Sequence, residues 1–453
     1  MATTRRTFLK VLSSSALGAM AGLPSVRALA DVAAASETEF FLFIHAAGGW
    51  DVTLWADPRN EAKGIIHPAS TDNTDTSKVK RWVDAPLSDG TRTFALVRPP
   101  RSSAVFGPGI GALADMSDRI TVVNGIAMNT VAHPDGSVYS TTGRHPEGGR
   151  VASPSIDTMV ANEFGRDQLL PTVSIRFPSA YVGDNLDRRV VPLTVDDVGS
   201  INRTLARSGL YENGDERDEV TAMLSQEATD LAKRATYPDV LDGLALQYGS
   251  LHRMLGGNLQ EVFTTAGLKK AHPELDYKSR FAGGPAVNVA FAIEAMKRNL
   301  VRSVSLAISG FDTHGNNYKT QAQLQQETFD LIASLVQSLD ATPHPTLGGG
   351  AKLSDHLHVL VVSEFCRTPQ INLNQGRDHY PNNSALVVSP RFKSMVYGKS
   401  DPEQLLPVKA EGFAGGPRTF SPPDLLATFL GAFGVPPRKY MRDGDIVREL
   451  LKG

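Results

Sequence analysis

Acidic and imidazole side chains recur in this chain where short apolar runs give way to polar loops. The run Val359-Leu360-Val361-Val362 is followed at once by Ser363 and Glu364, and a loop rich in Asn, Gln, Gly and Arg leads on to Asp378-His379. A second run, Val304 to Ile308, leads into Ser309-Gly310-Phe311-Asp312-Thr313-His314. A third, Glu39 to His45, breaks at Ala46-Ala47-Gly48-Gly49-Trp50-Asp51. His133 stands in the polar stretch after Ile120 to Val123. Asp312 and His314 are two apart, so in an extended segment both side chains leave on one face. Carboxylate plus imidazole at that spacing suits a divalent metal. Each group also has a plainer reading. Asp51 or Glu364 can cap a following helix, Asp378-His379 can be a turn, and His314 can be surface.

These runs are rich in β-branched and aromatic residues, as expected of strands buried on both faces. In open α/β sheets, ligands sit beyond the carboxyl ends of the strands. Parallel strands would bring Asp51, Asp312 and Glu364 to one rim, with His314, His379 and His133 in the adjoining loops. Carboxylates crowded there would repel each other, and a divalent cation resolves that. Such a centre polarises a phosphoryl or sulfuryl oxygen and activates water or a side-chain nucleophile. Ile120 to Val123 and Leu170 to Arg176 read as further strands. Asn124 to Arg144 reads as a long polar loop in which a nucleophile could open a helix. Leu324, Thr328, Leu331, Ile332, Leu335 and Leu339 form one helical stripe, a layer packed on the sheet. Helices are also expected at 287–299 and 424–433, with a helical insertion at about 205–275. The fold class is α/β.

Bulk properties exclude several alternatives. The chain has 453 residues and a net charge of -2. Removing the four basic residues of positions 1–30, which hold no acid, leaves 42 basic against 48 acidic residues, a net charge of about −6. Nucleic-acid binding, which wants a basic face, has no support. Cys366 is the only cysteine, which excludes an intrachain disulfide and any multi-cysteine metal site. There is no G-x-S-x-G and no phosphate-binding P-loop. Thr4-Arg5-Arg6-Thr7-Phe8-Leu9-Lys10, a mildly apolar run and Ala28-Leu29-Ala30 fit a twin-arginine signal peptide over residues 1–30. A mature domain of 31–453, exported by the twin-arginine machinery to the periplasm or beyond, is expected. The signal's apolar run is too short to span a bilayer, so no transmembrane span is expected in the mature form.

The order GGWD, FDTH, VLVVSEFCRTP and DHY resembles the alkaline phosphatase and sulfatase superfamily. More closely it resembles a twin-arginine-exported family known as domain of unknown function 1501. The resemblance implies a three-layer α/β/α, alkaline-phosphatase-like, mostly parallel sheet. It also implies one or two divalent ions (Zn, Ca, Mg or Mn) held by Asp51, Asp312, His314, Glu364 and His379. The chain departs from the superfamily at informative places. Glu364-Phe365 stands where Asp-His is usual, and Asp312 and His314 are two apart instead of four. Counting back from Thr142-Gly143-Arg144, His133 occupies the sulfatase nucleophile position, with Asp135 and Ser137 in place of that signature's Pro and Arg. His133 is then a nucleophile or a metal ligand, with Ser137 and Ser140 as further candidates. Arg144 or Arg367 could bind anionic oxygens; each could equally be an exposed loop residue or part of a structural ion pair. The resemblance implies an exported metal-dependent hydrolase acting on a small anionic phosphate or sulfate ester. The competing expectation is an exported binding or assembly protein on the same scaffold, with a structural metal and no turnover.

Overall fold

The strand Phe40–Ala47 (β1) divides the molecule's two cores. Phe40, Leu42, Ile44 and Ala46 pack into one apolar cluster and Phe41 and Phe43 into another. This is the period-two alternation of a strand, with apolar side chains on both faces because both are covered. The structure, a computed structural model, describes residues 38–59, 78–86, 92–100, 102–201 and 263–452, together with 219, 222, 223, 226 and 230. The expected signal peptide and most of the expected insertion at 205–275 lie outside the described residues.

The sheet also contains Ile120–Asn124 (β2), Leu170–Ile175 (β3), Leu193–Val195 (β4), Val301–Ser309 (β5), Leu357–Val362 (β6), Ser384–Val388 (β7) and Met395–Tyr397 (β8). The strand order is β8-β2-β7-β6-β1-β5-β3-β4. Only β7 runs antiparallel to its neighbours, β2 and β6. The five other pairings are parallel.

His133–Thr142 (α1), Ile156–Phe164 (α2), Gly283–Lys297 (α3), Asn317–Asp340 (α4) and Pro422–Gly431 (α5) cover the sheet. Residues of α3 and α4 share the cluster of Phe40 and Leu42, and residues of α2 and α5 share that of Phe41 and Phe43. The chain is therefore a mostly parallel α/β protein with helices on both sides of its sheet. The expected stripe on α4 is buried from Leu324 to Leu339. The stretch Asn124 to Arg144 departs from expectation: α1 lies inside it. Its ten residues are HPDGSVYSTT, with no apolar stripe to announce a helix, and it is shaped by Pro134 in the first turn and Gly143 in the left-handed conformation at the end. Among the described residues, no helix is long and apolar enough to cross a membrane.

Candidate metal centre

Strands β6, β1 and β5 lie side by side in parallel, and their register brings their carboxyl ends together. Val362 pairs with His45, and Ser309 with Ala47. The loops that follow therefore meet at one rim. At Gly48, with φ +119°, a Cβ would come within 2.3 Å of the Asp312 amide nitrogen, so only glycine lets these two loops touch. Beyond β6 the chain turns back, and Arg367 and Cys366 pair antiparallel with His379 and Tyr380. The intervening loop is tied to the Asp312 segment by Arg377 N–H to Thr313 O (3.1 Å) and Asn317 N–H to Gln375 O (2.8 Å). Helix α1 presses on the end of β6 at Gly136, where a Cβ would meet Glu364 O at 2.6 Å. That close approach sets His133, at the first turn, over the same rim.

Three imidazoles and one carboxylate converge there. Asp312 Oδ1 lies 3.1 Å from His314 Nε2, 3.4 Å from His379 Nε2 and 3.5 Å from His133 Nε2. His314 Nε2 and His379 Nε2 are 2.9 Å apart. His133, Asp312 and His379 each offer a ligand atom within 4.8 Å of the others. The outer nitrogen of every ring faces an acceptor. His133 Nδ1 is 2.9 Å from Glu364 Oε1, His314 Nδ1 is 2.7 Å from Asp378 Oδ1, and His379 Nδ1 is 2.8 Å from the Val131 carbonyl. A neutral imidazole carries one N–H, so these acceptors assign it to Nδ1 and aim the Nε2 lone pairs inward. His133 Nε2 is buried without a hydrogen-bond partner.

These residues fit a transition ion. Bonds of about 2.0–2.1 Å in a tetrahedron imply ligand–ligand separations of about 3.3 Å, close to those measured from Asp312 Oδ1. Three imidazoles suit Zn, Fe, Cu or Ni better than Ca or Mg, which prefer oxygen. The outer partners match the carboxylate–histidine and carbonyl–histidine supports that orient metal ligands.

The charges are arranged accordingly. Burial would raise the Asp312 carboxyl pKa, but the hydrogen bond from Arg367, 2.6 Å away, and the nearby charges hold it below its usual value. Glu364 behaves likewise: burial raises it, and His133, His45 and the Gly48 N–H overcome that. The hydrogen bond to Glu364 raises the His133 pKa against its burial, strengthening its nitrogen as a donor to a cation. Asp378 is lowered by its hydrogen bond to His314.

Of the residues expected at this centre, Asp312, His314, His379 and His133 come together. Glu364 reaches it through His133. Asp51 lies in a separate buried network. It caps the turn Val52–Leu54, accepting from Thr53 N–H at 3.0 Å, and meets Asn317 Nδ2 at 2.6 Å and Arg377 at 3.4 Å. Arg367 is fully buried and donates to the Gly48, Gly49 and Arg377 carbonyls as well as to Asp312. Arg144 pairs with Glu147 and the Ala152 carbonyl. Ser140 is buried and donates to the Ser137 carbonyl. Two supporting residues were not assigned from sequence. In the sequence Asp378 stands out only as a member of the pair Asp378-His379, without a role of its own. His45 sits at the end of β1 behind Glu364, and only the fold relates the two.

The family described as "Protein of unknown function (DUF1501)" matches residues 43–446. The chain belongs to the DUF1501 family. The matched span contains all four converging residues of this DUF1501 protein together with Glu364, Asp378 and His45. No curated protein matches it. A crystal structure of Ps i-CgsB in complex with k-i-k-neocarrahexaose aligns over 88% of this chain and 72% of that chain, with 11% identity and a TM-score of 0.35. A likeness that slight bears on neither fold nor function.

Proposed function

We propose that this DUF1501 protein is a metal-dependent hydrolase of phosphate or sulfate esters, exported through the twin-arginine pathway and built on an alkaline-phosphatase-like scaffold. Its centre would be held by His133, His314, His379 and Asp312. The observation that carries the reading is the inward convergence of three Nε2 atoms whose rings have their Nδ1 protons engaged elsewhere. When bound, an ion of this class polarises an ester oxygen and lowers the pKa of a water molecule.

The chain's own residues support turnover in specific ways. The side chains of Asp312 and His314 are 49% and 48% exposed, so the centre is open to solvent on one side. Arg367 holds Asp312 in place from below and, being buried, supports the site without reaching a substrate. His133 occupies the helix start where the resembling sulfatases carry a nucleophile. With its Nε2 turned to the centre, His133 is placed as a ligand and not as the attacking group. Export is supported by the sequence of residues 1–30, and the superfamily by the order of motifs on a mostly parallel sheet.

A second reading has one observation in its favour. If all four residues bound one ion they would complete a tetrahedron, which is the habit of structural metal sites. Metal analysis of the purified chain, with a panel of chromogenic phosphate and sulfate esters, separates the two. Bound metal with turnover abolished by Asp312→Ala supports the hydrolase. Bound metal without turnover of any ester favours the binding protein. Absence of metal, with activity unchanged in Asp312→Ala and His379→Ala, defeats the metal reading altogether.

A further inference from the structure

Glu364 can hold His133 only if its carboxylate is itself held, and the two oxygens are held unequally. Oε1 accepts from the Gly48 N–H at 2.6 Å and faces His133 Nδ1 at 2.9 Å. Oε2 lies 3.1 Å from Ser363 Oγ. That hydroxyl has one proton, however, and its shorter contact is to the Ala46 carbonyl at 2.6 Å. The Trp50 N–H already donates to Ser363 Oγ at 3.2 Å. With the Ser363 proton on Ala46 O, Oε2 faces a lone pair of that hydroxyl instead of its proton. His45 Nε2 also faces Oε2, at 3.5 Å. His45 is 3% exposed, and its Nε2 is buried with no hydrogen-bond partner. A buried ring nitrogen without a partner, set beside a buried carboxylate oxygen, has its natural acceptor there.

We propose that His45 is a positioning residue of the metal centre: its Nε2–H fixes the Glu364 carboxylate, which in turn fixes the ring of His133. The inference rests on the metal reading above and extends it inward by two residues. His45, Glu364 and His133 form a chain from the end of β1 to the open rim. His45 touches neither ion nor substrate; it acts by holding Oε1 turned toward His133 Nδ1. Removing it frees the carboxylate to rotate and lets the His133 ring drift from the other ligands.

The test uses the full chain, stripped with a chelator and titrated with Zn²⁺ against a chromophoric competitor, with the visible spectrum of the Co²⁺ form as a second readout. His45→Phe keeps the ring and removes the donor. It should weaken Zn²⁺ binding roughly 10–100-fold, the range for lost outer-sphere support, and alter the Co²⁺ band pattern. His45→Gln places an amide N–H near the Nε2 position and should restore both to near wild type. Glu364→Gln should weaken binding at least as much as His45→Phe. Wild-type affinity in His45→Phe beside a weakened Glu364→Gln overturns the role of His45 and leaves the metal centre standing. Should His45→Phe fail to fold by circular dichroism, His45→Asn replaces it. Its amide sits near Nδ1 instead, and affinity equal to that of His45→Gln overturns the proposal. A wild-type chain that binds neither ion removes the metal reading and this inference together.

Discussion

The Nε2 atoms of His314 and His379 approach to 2.9 Å, while each ring turns its Nδ1 to a different acceptor, Asp378 and the Val131 carbonyl. Two inward lone pairs at that distance repel unless a cation, proton or metal, lies between them. The carboxylate of Asp312, 3.1 Å from one and 3.4 Å from the other, adds the negative charge that favours a metal ion over a single shared proton.

Removing either ring should therefore cost the ion. His314→Ala and His379→Ala are expected to weaken Zn²⁺ binding roughly a hundredfold or more, beyond the range for outer-sphere changes. Competition titration and metal content after dialysis measure this. Unchanged affinity and stoichiometry in both variants would falsify the four-residue centre.

Asp51→Asn should behave in the opposite way. Its carboxylate partners Arg377 where both side chains are fully buried. Neutralising it leaves a buried guanidinium poorly paired, at a cost of about 3–5 kcal/mol. Urea unfolding should show that loss, while the folded variant still binds its ion. Lost metal with unaltered stability would instead make Asp51 a ligand.

Arg367→Lys tests what the buried guanidinium is for. A lysine cannot donate at once to three carbonyls and to Asp312. Stability and metal affinity should fall together, with little separate change in KM for an anionic ester. A defect confined to KM would show the guanidinium on the substrate.

Acid should weaken the fold at the rim opposite the centre. Glu39, near the start of β1, faces His358 at 2.7 Å, Arg391 at 2.7 Å and His356 at 3.5 Å. Burial would raise its carboxyl, but His358 and Arg391 bring it down from 4.5 to about 2. A depressed carboxyl contributes its stability above the unfolded value and loses it as the pH falls through the folded one. Burial, opposed by Glu39, also lowers the His358 pKa from 6.5, so this ring too resists protonation in the fold. Its contribution fades in the same direction, below 6.5. Between pH 4.5 and 2 the wild type should lose roughly 3 kcal/mol more than Glu39→Gln does. Equal slopes in pH-dependent urea melts would show that Glu39 is not tightly held.

Strand positions in this chain were legible locally. A strand buried on both faces is a continuous apolar run whatever surrounds it, so 359–362 and 304–308 announced themselves, as did the polar residues just past their ends. From those ends Asp312, His314 and His379 could be named. What no local pattern contains is the direction in which a side chain leaves a loop. Asp51 and Asp312 both follow a strand of the same sheet, yet one turns inward to Arg377 and the other outward to the histidines. Helix α1 was hidden because its ten residues have no apolar stripe; it forms where Pro134 and Gly143 bound it and Gly136 lets it press on Glu364. The pairing of His45 with Glu364 joins residues 319 positions apart through the alignment of β1 with β6. Residue types and strand ends thus follow from short-range sequence. Which acids meet which imidazoles was decided by parallel register and by the few glycines that let loops touch, because those distances are set by packing across the sheet.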